Sequence, residues 1–154
     1  MNKHHAPGHR PAGARLAVRH LAVLAVVLLA AAACSRSAPP GQQVRVSLRD
    51  FHIGTSAATV PGGTVTFDVS SRGPTTHEFV VVRTDLSAGA LPIGPDGITV
   101  DEESPRLGHV GEAPDVDIAG ATALTLQLAP GHYVLFCNLE GHYLAGMHNS
   151  LTVD

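Results

Sequence analysis

The segment CNLEGHYLAGM, Cys137 to Met147, sets a thiol, an imidazole and a thioether at even five-residue steps, C-x4-H-x4-M. The chain has two cysteines in all, and Met147 is its only methionine besides the initiator. A thiolate, a neutral imidazole and a thioether make a soft-to-borderline donor set, of the kind that suits copper. Gly141 and Gly146 each precede or adjoin a candidate donor, where the absence of a Cβ permits a tight turn. A trigonal centre of one Cys and two His with a weak axial Met needs a second histidine from elsewhere. His77 is the natural supplier. It opens the apolar run HEFVVVRT about sixty residues upstream and follows the turn-forming Gly73-Pro74-Thr75-Thr76.

The elements that must position these groups read as strands. Val44, Val46 and Leu48 alternate with polar residues, as do Val65, Phe67 and Val69 after the turn Pro61-Gly62-Gly63. His77 to Thr84 is more continuously apolar, which predicts a central strand. Leu124, Leu126 and Leu128 alternate again, Pro130-Gly131 turns into HYVLFC, and Ser150 to Asp154 closes the chain. Period-two alternation punctuated by Gly and Pro is the pattern of half-buried strands. On the strand ending at Cys137, Tyr133, Leu135 and Cys137 share one face while Val134 and Phe136 take the other. No helical stripe is present, since Ala119 to Ala123 is short and holds Gly120. The expected fold class is all-β, a Greek-key sandwich or barrel. Residues 85–114, rich in Gly, Pro and acid, lack the spacing of a calcium loop and are expected to be a solvated excursion.

With strands and donors in place, the chain resembles a single-domain cupredoxin, the family of plastocyanin, azurin, auracyanin and rusticyanin. The likeness in motif lies in Gly131 to Cys137, with Tyr133 four residues before Cys137, and in Ala145-Gly146-Met147. The spacing C-x4-H-x4-M is similar to that of auracyanin and rusticyanin and longer than plastocyanin's. The resemblance implies one type 1 (blue) copper ion held by His77, Cys137, His142 and Met147, and a role in shuttling single electrons rather than in catalysis. Enzymes with related copper sites carry further coppers and histidines beside the cysteine, whereas Cys137 stands between Phe136 and Asn138. Glu78, where many members have Asn, Asp or Ser, and Asn138 are expected beside the ligands. His142 is the expected electron port, within an apolar collar of Leu139, Tyr143, Leu144 and Ala145. The spare histidines His52, His109, His132 and His148 are expected in turns or facing away. A copper-binding lipoprotein for storage, delivery or resistance is the competing reading, disfavoured because such sites are rich in Met or His.

The N-terminal end bears on location. A basic leader holding Lys3, Arg10, Arg15 and Arg19 precedes the apolar run Leu21 to Ala33, the layout of a secretory signal. Ala31-Ala32-Ala33-Cys34-Ser35 resembles a bacterial lipobox, which makes Cys34 the expected lipidated residue. The expected organisation is signal peptide 1–33, lipidated Cys34 with a flexible tether 34–42, and a cupredoxin domain 43–154, anchored at the outer face of the cytoplasmic membrane or in the periplasm. From Cys34 onward there are six arginines, no lysine and thirteen acidic residues, a formal charge of −7. That balance excludes nucleic-acid binding and favours basic or neutral partners. The expected partners are redox proteins such as a cytochrome or a membrane oxidase, met by a monomer.

Overall fold

The structure, a computed structural model, describes residues 41–154. The leader, the lipobox and Cys34 lie outside the described residues. Nine strands follow one another: β1 (Gln42–Arg49), β2 (His52–Thr55), β3 (Thr59–Val60), β4 (Gly63–Ser71), β5 (His77–Arg83), β6 (Gly108–Val116), β7 (Ala121–Leu128), β8 (Gly131–Phe136) and β9 (His148–Val153). They form two sheets, ordered β2-β1-β4-β7 and β3-β9-β8-β5-β6. β1 runs parallel to β4 and β3 parallel to β9, while every other pairing is antiparallel. Among the described residues the only helical element is a 3₁₀ turn at Ala88–Ala90. The all-β sandwich expected from the alternation is what forms.

Alternation explains which faces meet. Val44, Val46 and Leu48 of β1, and Val65, Phe67 and Val69 of β4, are buried. They face Phe79, Val81, Tyr133, Leu135 and Leu151 of the other sheet in one core. Removing such side chains from water stabilises the fold by about 1.5–3 kcal/mol each. β5 and β8 are buried on both faces, as the continuous apolar runs imply.

The outer face of β5 and β8 has a second core, and here the sequence expectation for residues 85–114 fails. Leu91, Val100 and Leu107, all from the connection between β5 and β6, pack on Val80, Val82, Val134, Phe136 and Tyr143. The connection is a packed cover, not a solvated excursion, and its last residues belong to β6. Its few apolar residues are too widely spaced to show a period, yet the hydrophobic outer face of β5 and β8 needs them. His109 and His52 also lie on strands, in β6 and β2, rather than in loops.

Register sets the position of the ligand loop. β5 pairs with β8 through Val80↔Phe136, and β8 with β9 through Phe136↔His148. One step further along the same ladders, Cys137 falls between Phe79 and Met147. The Glu78 N–H points at Cys137 Sγ at 3.3 Å, and the Cys137 N–H donates to the Met147 carbonyl at 3.1 Å.

Candidate metal centre

His77 opens β5, Cys137 follows β8, and Met147 precedes β9, so three adjacent strands deliver three side chains to one end of the sandwich. All three are fully buried. His142 comes from the loop between β8 and β9 and is half-buried. One ligating atom each from His77, Cys137 and His142 lies within 4.8 Å of the others. Cys137 Sγ is 3.4 Å from His142 Nδ1, and the two imidazole rings are 5.4 Å apart.

The loop holds its shape through its own backbone. The His142 N–H donates to Leu139, the Ala145 N–H to Gly141, the Gly146 N–H to Tyr143 and the Met147 N–H to the His142 carbonyl, at 2.9–3.0 Å. Gly141 and Gly146 have φ of +74° and +103°, conformations that glycine adopts without steric cost. The glycines singled out in the sequence therefore do close the loop.

The electrostatics suit a cation. Both ring nitrogens of His77 are buried and neither makes a hydrogen bond, although Asp50 Oδ1 stands 3.3 Å from Nε2, a state that costs free energy unless something satisfies them. Burial holds His77 below its usual pKa, the nearby His142 adds to this, and Asp50 opposes it. The imidazole thus stays neutral, with a lone pair to donate. Burial also raises the Cys137 thiol, against the stabilising Glu78 N–H. A metal ion deprotonates such a thiol on binding. Two imidazole nitrogens, a thiol and a buried thioether match the donors of a soft-to-borderline metal.

Glu78 and Asn138 stand beside the donors. Glu78 Oε2 accepts the Asn138 N–H at 3.2 Å, which ties the start of β5 to the ligand loop. Burial pushes its carboxyl up, with Glu102 adding to the shift and the Asn138 N–H opposing it. Asn138 reaches further. Its Oδ1 accepts the Val100 N–H at 2.6 Å, and its Nδ2 donates to the Val100 carbonyl and to Glu102 Oε1. The cover is thus pinned to the residue after the thiol.

The expected collar needs correction. Tyr143 is 3% exposed, and its hydroxyl donates to the Ala88 carbonyl and accepts the Leu91 N–H, both at 2.8 Å. It anchors the cover instead of facing solvent. Leu139 is partly buried against the main core. Leu144, 53% exposed, and Ala145 do face outward. Sequence reasoning missed Phe51, which is 51% exposed and meets the His142 ring edge-on at 5.7 Å and 79°. An aromatic residue between Asp50 and His52, where two strands must turn, was the available signal. Of the spare histidines, His132 Nδ1 lies 2.8 Å from the Thr84 carbonyl and His148 packs on Tyr143, so neither joins the cluster.

No family model matches the chain, and no curated protein matches it. Solved structures do. The chain is similar to dithionite-reduced auracyanin from the photosynthetic bacterium Roseiflexus castenholzii, with TM-score 0.55, 20% identity, and coverage of 75% of this chain and 99% of that one. Auracyanin A, a "blue" copper protein from the green thermophilic photosynthetic bacterium Chloroflexus aurantiacus, matches with TM-score 0.50, 20% identity, 73% and 99%. Rusticyanin from Thiobacillus ferrooxidans matches with TM-score 0.53, 19% identity, 75% and 79%. The likeness is one of fold, and the chain has the cupredoxin β-sandwich.

Proposed function

We propose that this cupredoxin-fold chain is a blue copper electron-transfer protein, acting outside the cytoplasm with other redox proteins as partners. The observation that carries the reading is the buried His77–Cys137–His142 cluster beside Met147, assembled in a fold shared with a blue copper protein. Copper bound there would supply a reversible one-electron couple. His77, Cys137, His142 and Met147 would hold the ion.

What the chain contributes is rigidity and exclusion of water. Three donors ride on paired strands, and His142 sits in a loop closed by its own hydrogen bonds. A frame that is already in place reorganises little between oxidation states, and that keeps transfer fast. Four protein donors leave no open position for a substrate, which argues for a carrier and against an enzyme. The Glu78 N–H, 3.3 Å from Sγ, would withdraw electron density from the sulfur and so tune that couple.

His142 is the one half-buried donor, and it offers the exit path. Phe51, Leu144 and Ala145 supply apolar surface around it, suited to brief docking. With five arginines and thirteen acidic residues in 41–154, the domain favours a partner whose surface is basic or neutral. The location outside the cytoplasm, with Cys34 as lipid anchor, rests on the leader and the lipobox-like residues.

The test is a visible spectrum of the purified protein with Cu(II), followed through reduction and reoxidation. An intense thiolate-to-copper band that bleaches and returns supports electron transfer. A colourless complex, or one that releases copper on reduction, points to copper carriage and overturns the reading.

A further inference from the structure

The turn between β1 and β2 consists of two residues, Asp50 and Phe51, and each touches one of the two histidines of the cluster. Asp50 Oδ1 lies 3.3 Å from Nε2 of the fully buried His77. The same oxygen accepts the Thr75 hydroxyl at 2.9 Å, which fixes the carboxylate in place. Phe51 sets its ring edge-on to His142. It does so with φ +62°, a left-handed conformation that is unusual for a bulky residue and strained. A strained turn persists where its surroundings hold it, and the two imidazoles are among the groups that meet this one.

A third feature sits at the same place. Gly73 is buried, and a Cβ on it would come within 2.7 Å of His77 Nε2, 2.8 Å of Asp50 Oδ1 and 3.1 Å of the Asp50 backbone nitrogen. No side chain fits there without separating the pair. Glycine at 73 is therefore required by the approach of a carboxylate to an imidazole, not by its own backbone angle.

We propose that Asp50 is a positioning residue for the metal centre. With its carboxylate 3.3 Å from Nε2, it favours the tautomer that carries the proton on that nitrogen and leaves the Nδ1 lone pair free for an ion. A carboxylate behind a ligating imidazole selects the tautomer, orients the ring and makes the nitrogen a stronger donor. In a buried site its negative charge also favours the more positive state of a bound ion. The proposal rests on the copper reading for its second half; the tautomer of His77 can be read without any metal.

The experiment uses the purified protein, first metal-free and then loaded with Cu(II). Long-range ¹H–¹⁵N spectra of the His77 ring should show the proton on Nε2 in the native protein and a mixture in Asp50→Ala. Asp50→Ala should lose about 10–100-fold in Cu(II) affinity and show a raised reduction potential. Asp50→Asn keeps an accepting oxygen without the charge, so it should preserve the tautomer and still raise the potential. Gly73→Ala, which keeps the carboxylate but separates the pair, should imitate Asp50→Ala. A native proton on Nδ1, or copper affinity and potential in both Asp50 variants equal to the native values, overturns the proposal. If the native protein gives no thiolate-to-copper band, the copper reading fails, while the tautomer spectra still decide the role of Asp50.

Discussion

Replacing Asn138 tests whether the cover over β5 and β8 is fastened to the metal centre. Asn138→Ala removes three hydrogen bonds, two to the Val100 backbone and one to the Glu102 carboxylate. Val100 is buried, so its N–H loses its only partner without gaining water. Neutral bonds of this kind contribute about 1 kcal/mol each and one to a charged group about 1.5–3; allowing for the part-exposed Glu102, the loss should be about 2–4 kcal/mol. In urea, with a slope of about 2 kcal/mol per M, the midpoint of the metal-free protein should fall by about 1–2 M. Asn138→Asp is the sharper variant. It keeps the acceptor for Val100 but sets a carboxylate where Nδ2 now lies 2.7 Å from Glu102 Oε1. Like charges at about 4 Å repel by about 4 kcal/mol at an effective dielectric constant of 20. At neutral pH Asn138→Asp should thus be less stable than Asn138→Ala. The difference should close as pH falls toward 4, where protonation of the introduced carboxyl relieves the repulsion. A midpoint within about 0.3 M of the native value for Asn138→Ala, or an Asn138→Asp penalty independent of pH, would refute the fastening.

Three further outcomes are expected. Cys137→Ser should abolish the thiolate-to-copper absorption while the fold survives, as judged by far-ultraviolet circular dichroism, because a hydroxyl replaces the soft donor in nearly the same volume. Leu144→Asp should slow electron exchange with a redox partner and leave the copper spectrum unchanged; equal rates would remove Leu144 from the docking surface. Because burial raises the Cys137 thiol above its ordinary 9.0 and lowers His77 below 6.5, copper binding at pH 7 should release one proton, from the thiol. Apparent affinity should then rise about tenfold per pH unit near neutrality, and an indicator-dye titration that detects no released proton would contradict this.

The chemistry of the site was legible because it is written locally. Cys137, His142 and Met147 share one short loop whose glycines announce its turns, and His77 opens a strand recognisable from its apolar run. Alternation likewise located β1, β4 and β7, since a period of two follows from the pleat of a single strand, while the apolar runs HEFVVVRT and HYVLFC and the closing segment SLTVD marked β5, β8 and β9. β2 and β3 were missed, being four and two residues long, too short to carry a period. β6 was missed because its burial does not alternate and it contains Gly and Pro.

What only the tertiary structure decided are contacts between side chains far apart in sequence. Asp50 reaches His77, Phe51 reaches His142, Asn138 reaches Val100, and Tyr143 turns inward to Leu91. None of these pairs leaves a periodic trace, because each depends on which loops the closed sandwich brings to the same end. The sequence by itself determined the donors and the strands that carry them. Packing of the two sheets and of the cover decided which groups surround those donors, and hence how the site is held.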